Sequence, residues 1–268
     1  MAPFDARIDH GVRRRLMDAA YPIEHGERTG ESIILLHGGN VGGWMWEPQV
    51  ERLPGRHLIT PDAVGFNSRA GEAWPGLAGA ADDVAETIRE RAVGGRSHVV
   101  GLSMGAVIAV HLVARHPDLV RSCMVTGAMM LGVTGVQRRM AELQLRAWDQ
   151  RWFWRMQAAM FRIPADAREQ FISAGMGVSA QTAHAMFGEI FDGSMPEGRF
   201  DYAGPMLAIA GEREPRDVAR AFPALVRAMP QTRTWIAPRM RHVWSIQDPD
   251  LFTRTIVDFV DRNVVPSA

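Results

Sequence analysis

Lysine is missing from this chain: all 30 basic residues are arginine. A lysine Schiff base and a Walker-type phosphate loop both need the lysine ammonium, so neither chemistry is open to it. Biased composition accounts for the absence. Cysteine occurs once, which excludes an intramolecular disulfide and a cysteine-rich metal site. Cys123 lies in the apolar stretch Ser122–Val125 and reads as a buried core thiol. No run approaches the 18 or so apolar residues of a membrane span. Met1 to Ala20 carries charges throughout and no apolar h-region, so no secretory signal is expected and the expected compartment is the cytoplasm. An excess of either charge is missing too. Thirty basic and thirty acidic residues cancel, which argues against nucleic acid as the main partner. The glycines near residue 40 do not form the G-x-G-x-x-G that opens a dinucleotide-binding helix. No internal repeat or low-complexity segment appears.

The 268 residues are 47% hydrophobic and 22% charged, a globular composition large enough for one α/β domain or two small ones. Short apolar runs alternate with helical ones. Candidate strands are 33–36, 57–60, 98–102, 119–125, 206–210 and 232–236. They are apolar without alternation, as in a parallel sheet buried on both faces. Helices are expected over 80–91, 104–116, 218–229 and 251–260, which gives a doubly wound, mostly parallel α/β sheet. From Thr134 to Gly198 no strand is convincing. Met140, Leu143, Trp148, Trp152, Met156 and Met160 mark a helical stripe there. A second helix is expected over 165–174 and a third from Ser179 as N-cap. The chain thus reads as a core of residues 1–133 and 199–268 with a helical insertion over 134–198.

Gly101-Leu102-Ser103-Met104-Gly105 matches G-x-S-x-G between a candidate strand and a candidate helix. A sharp turn there lifts the serine oxygen clear of the sheet, and the helix N-terminus brings free N–H groups beside it. The Gly-rich loop His37-Gly38-Gly39-Asn40 follows the first strong strand. Gly39 N–H and Met104 N–H are the expected pair of donors to an oxyanion. A serine needs a base, and His242, after the last candidate strand, fits. His10, His25 and His184 read as surface or cap residues, and His57 and His98 as strand openers. His111 and His116 lie five apart on one helix, poor spacing for a metal. The orienting acid should fall between serine and histidine. Glu212, Glu214 and Asp217 all qualify, with Glu214 preferred.

Together these residues resemble the α/β-hydrolase superfamily. The matching features are the His37-Gly38 loop, the Pro61–Gly65 loop, the Ser103 elbow, the Gly211–Glu214 loop and the His242 loop. Val64 stands where the family usually has proline, and Glu214 where it most often has aspartate. The resemblance implies a Ser–His–acid hydrolase working through an acyl-enzyme, with no metal and no organic cofactor. Serine at the elbow separates the chain from the branches that place aspartate there. The resemblance also implies that residues 134–198 form a cap. Asn40, Trp44, Trp148, Trp152, Met156, Met186 and Trp244 are then candidate pocket residues for a small apolar or aromatic ester or lactone. The competing reading of the stripe is a helix packed on its own core. Competing functions are carbon–carbon bond hydrolysis, a lyase or cofactor-free oxidation on the same scaffold, and a binding protein with little turnover. Oligomeric state is not legible.

Overall fold

A computed structural model describes residues 23–265; His10 and the first part of the expected core lie outside them. The apolar run Ile33–Leu36 forms β2 (Ser32–Leu36), with every residue buried. β4 (Ser97–Leu102) and β6 (Met206–Gly211) are also buried throughout, and β5 (Val120–Thr126) at all but Arg121. β3 (Leu58–Ile59) and β7 (Thr232–Ala237) complete the six expected strands. A seventh, β1 (Glu24–His25), pairs antiparallel with β3, and all other pairs are parallel. The order is β1-β3-β2-β4-β5-β6-β7. Two residues carry no periodicity, which is why β1 is invisible in the sequence.

Helices cover the sheet. α1 (Glu47–Arg52) is short. α2 (Gly76–Arg91) buries Leu77, Ala80, Ala81, Val84, Ala85 and Ile88, the i, i+3, i+4 stripe of an amphipathic helix. α3 (Met104–Arg115) is buried nearly all round, as its sequence predicts. The single helix expected over 218–229 is two, α8 (Arg216–Arg220) and α9 (Phe222–Ala228). Pro223 supplies no N–H and its ring crowds the preceding turn, so the helix restarts with the proline in its first turn. α10 (Trp244–Gln247) leads to α11 (Pro249–Arg262), whose N-cap Asp248 accepts from Leu251 N–H at 2.9 Å.

Between β5 and β6 lie four helices: α4 (Gly135–Leu145), α5 (Arg151–Met160), α6 (Arg168–Gly177) and α7 (Ala180–Asp192). Ser179 caps α7 as expected, accepting from Thr182 N–H at 3.0 Å. The long stripe is a correction. It spans α4 and α5, broken at 146–150, where Trp148 turns inward and its Nε1–H donates to Val178 O. Of its six residues only Trp148 is buried; the other five are 50–58% exposed, so the stripe does not pack a helix onto its own core. The opposite face of α5, with Phe153, Trp154 and Ala158, does that. Gly175 on α6 makes room for it: a side chain there would sit 2.5 Å from the Trp154 indole.

Candidate active site

β4 ends in Leu102, and Ser103 takes φ 56° and ψ −117°, a left-handed conformation that L-residues avoid. The turn is tight enough to require its glycines. A Cβ on Gly101 would lie 2.4 Å from Gly105 O, and one on Gly105 would lie 2.2 Å from Leu36 O. Such a residue costs roughly 1–3 kcal/mol. Burial of Val107, Ile108, Leu112 and Val113 on α3 returns roughly 1.5–3 kcal/mol each, enough to hold the turn. Ser103 N–H donates to Thr126 O at 2.9 Å, tying the turn to the end of β5.

The loop after β2 lies alongside. A Cβ on Gly38 would be 3.6 Å from Ser103 Cβ, and one on Gly39 would be 4.0 Å from Met104 Cβ and 3.1 Å from Met186 Cε. Gly39, Met104 and the α7 side chain Met186 therefore meet next to the Ser103 turn. His37 fixes this loop from beneath. Its Nε2 accepts from Ala63 N–H at 2.9 Å, so the proton is on Nδ1, which donates to Gly38 O at 2.7 Å. Burial holds the His37 imidazole below its usual range, consistent with that neutral form. In a trans peptide the C=O and N–H point in opposite directions. Holding Gly38 O against His37 thus directs Gly39 N–H the other way. Asp62 anchors the far end of the loop, accepting from Gly43 N–H at 2.8 Å and from Asn67 Nδ2 at 2.8 Å. Burial works against its ionisation, but hydrogen bonds from Ser68, Gly43 and Asn67 favour the charged form, and its carboxyl stands below the usual range.

His242 and Glu214 come from the loops after β7 and β6. His242 Nδ1 donates to Glu214 Oε1 at 2.5 Å, and Glu214 Oε2 accepts from Gly211 N–H at 2.5 Å. The Glu214 side chain is 1% exposed and that of His242 24%. Gly127, at the end of β5 with φ +71°, makes room for them. A Cβ there would lie 2.8 Å from His242 Cε1 and 3.3 Å from Glu214 Oε1. The other two candidate carboxylates are occupied elsewhere. Glu212 accepts from Arg239 N–H at 2.6 Å, and Asp217 accepts from Gln137 Nε2 and Arg220 Nη1.

The remaining sequence candidates divide. Met186 is buried against Gly39, and Trp148 is buried with its ring 5.5 Å from Phe187. Asn40, at φ 69°, keeps a buried Nδ2 with no partner among the described residues. Trp44 packs partly buried against the core, while Trp152 and Met156 stay half-exposed. Trp244 is a correction. It is fully buried, donates from Nε1 to Thr126 Oγ1 at 2.9 Å and packs on Phe252, so it supports the floor and lines no wall. Sequence reasoning missed Gly127, for which a glycine just past a strand end was the available signal. Phe161, legible in the sequence only as one of many large apolar side chains of the insertion, has its ring 5.9 Å from the His242 ring. α7 is fastened to the core by Glu189, which accepts from Trp74 Nε1 at 2.7 Å and Leu77 N–H at 3.0 Å.

Serine, histidine and glutamate are joined in rows at two places toward the opposite end of the sheet. Ser122 Oγ lies 2.7 Å from His98 Nδ1, and His98 Nε2 lies 2.9 Å from Glu31. Ser32 Oγ lies 2.8 Å from His57 Nδ1, and His57 Nε2 lies 3.3 Å from Glu24. In both rows the serine meets Nδ1 and the carboxylate Nε2, the reverse of the His242–Glu214 pairing, and both serines are buried. Among the described residues no group of three or more His, Cys, Asp or Glu could hold a metal ion, and no helix is long and apolar enough to cross a membrane.

Comparison with known proteins covers most of the chain. The family model described as the alpha/beta hydrolase family matches residues 33–255. A 2-(acetamidomethylene)succinate hydrolase of Mesorhizobium japonicum is 25% identical over 96% of this chain and 98% of its own length. An AB hydrolase superfamily protein of Gibberella zeae is 34% identical, over 41% of this chain; the match spans less than half, 43%, of that protein. Among solved structures, the esterase EaEST of Exiguobacterium antarcticum superposes with a TM-score of 0.75 at 18% identity, covering 88% of this chain and 93% of that one.

Proposed function

This chain belongs to the alpha/beta hydrolase family, and on that premise we propose that it is a serine hydrolase of a small apolar or aromatic carboxylic ester or lactone, with Ser103 as nucleophile, His242 as base and Glu214 as the orienting acid. The observation that carries the reading is the His242 Nδ1–H to Glu214 Oε1 bond, whose imidazole packs against Gly127, next in sequence to the Thr126 carbonyl that holds the strained Ser103 turn. With Nδ1 protonated, Nε2 keeps the lone pair and can take a proton.

Ser103 Oγ attacks the substrate carbonyl carbon while His242 takes the hydroxyl proton. The carbonyl electron pair moves onto oxygen, where Gly39 N–H and Met104 N–H stabilise it. The intermediate collapses, the bond to the leaving oxygen breaks, and His242 returns the proton to that oxygen. Water, deprotonated by His242, then attacks the acyl-serine, and collapse frees the acid and restores Ser103. Glu214 stabilises the transient imidazolium. The four helices α4–α7 act as a cap, with Met186 and Phe161 bordering an apolar acyl site. The placement of the enzyme in the cytoplasm is part of the same reading.

A fluorophosphonate adduct located by mass spectrometry is the test. Adduct on Ser103, lost in His242→Ala, together with aryl-ester turnover abolished in Ser103→Ala, is expected. An active Ser103→Ala enzyme would overturn the assignment. The succinate hydrolase relative, whose name specifies no ester, supports a second reading, in which the same serine acts on another bond; labelling of Ser103 without ester turnover would favour it.

A further inference from the structure

We propose that the outer faces of α4 and α5 form a docking surface for a bilayer rich in anionic lipid. The observation is a misplaced apolar surface. Of the eleven large apolar side chains left exposed among the described residues, eight lie between Leu131 and Met176. Val136, Met140 and Leu143 are spaced i, i+4, i+7 on α4, and Trp152, Met156 and Met160 are spaced i, i+4, i+8 on α5. Each set shares one helix face.

Charge identifies the occupant. Residues 135–162 hold six arginines and two carboxylates, Glu142 and Asp149, so the segment carries 6 − 2 = +4 in a chain whose total is zero. Arg138 and Arg151 are ion-paired, to Glu142 and Asp192 and to Glu169. Arg139, Arg146 and Arg155 are exposed and have no salt-bridge partner among the described residues. They sit three residues from Val136, Leu143 and Trp152, respectively, and so lie along the apolar stripes. The matching surface must be apolar and anionic at once. A second copy docked face to face would set the unpaired Arg139, Arg146 and Arg155 against their own copies. A folded protein would need a groove shaped to these convex ridges, whereas fluid acyl chains need none. Arginine beside Trp, Met and Leu on an exposed helix is the composition that seats at a lipid interface. Phe161, which follows α5 and lies against His242, puts this surface beside the candidate site.

The test is co-sedimentation of the full chain with vesicles of phosphatidylglycerol and phosphatidylcholine, against phosphatidylcholine alone, at low and high salt. Binding to the anionic vesicles, weakened by salt, is expected. Arg139→Gln with Arg155→Gln should weaken it roughly 25-fold, about fivefold for each arginine removed. Met140→Ser with Leu143→Ser should remove the binding that survives high salt. All four positions are exposed, so unchanged circular dichroism is expected for each variant. Equal binding to neutral vesicles, no binding to anionic ones, or insensitivity to the substitutions would overturn the proposal. So would a dimer in sedimentation velocity that the same substitutions dissolve, or selective binding of an acidic helical peptide with none to vesicles. Because binding is read without turnover, the result is independent of whether Ser103 is the nucleophile.

Discussion

His242 Nδ1 and Glu214 Oε1 stand 2.5 Å apart, and the second oxygen of that carboxylate is held by Gly211 N–H. One buried side chain therefore fixes both the ring and its own position. Glu214→Gln can offer its amide nitrogen to Nδ1 and so stabilise the wrong tautomer. On the proposed mechanism kcat should fall by about 10³–10⁴-fold with the fold intact. Steady-state kinetics on an aryl ester check this, and a loss under tenfold would remove Glu214 from the mechanism.

Gly127→Ala puts a methyl 2.8 Å from His242 Cε1 at a φ of +71°. The backbone cost is about 1 kcal/mol, and the displaced ring costs much more in rate. A kcat/KM at least about 100-fold lower, with only a few degrees lost in Tm, is expected from paired activity and melting measurements.

His37→Gln keeps a polar side chain but cannot reproduce both ring contacts, with Ala63 N–H and Gly38 O. Gly39 N–H then loses its fixed direction. The expected result is kcat down by about 10–100-fold with KM little changed, because the interaction matters most when the oxyanion forms. A rise in KM at constant kcat would show that the clasp serves binding.

Asp82 receives Arg115 and His116, whose hydrogen bonds lower its pKa from 3.8 to about 2. A carboxyl depressed on folding stabilises the protein above the unfolded pKa, and that contribution fades as pH falls from about 4 through about 2. The pair is exposed, so the gain stays under about 1 kcal/mol. Asp82→Asn should melt slightly below wild type at pH 6 and together with it near pH 2.

The sequence made Ser103 and His242 legible for different reasons. Ser103 sits in a motif whose strand–turn–helix context is visible in the residues themselves. His242 was isolated by its place after the last strand. Glu214 was one of three carboxylates in six residues, and only tertiary packing decides which of them points back at the imidazole. The break before Phe222 was written in Pro223, yet the apolar period ran through it. Periodicity likewise joined α4 to α5, because spacing says which residues share a face and not whether that face meets protein. Trp244 was judged by its nearness in sequence to His242, but adjacent residues project in different directions, and the indole went to the core.

The buried row Ser122–His98–Glu31 and its neighbour Ser32–His57–Glu24 give the molecule its own controls. A search by residue type and distance would find these rows as readily as the open site, but a reagent has no access to their serines. One phosphonyl group per chain, and not three, is the stoichiometry that this difference in access dictates.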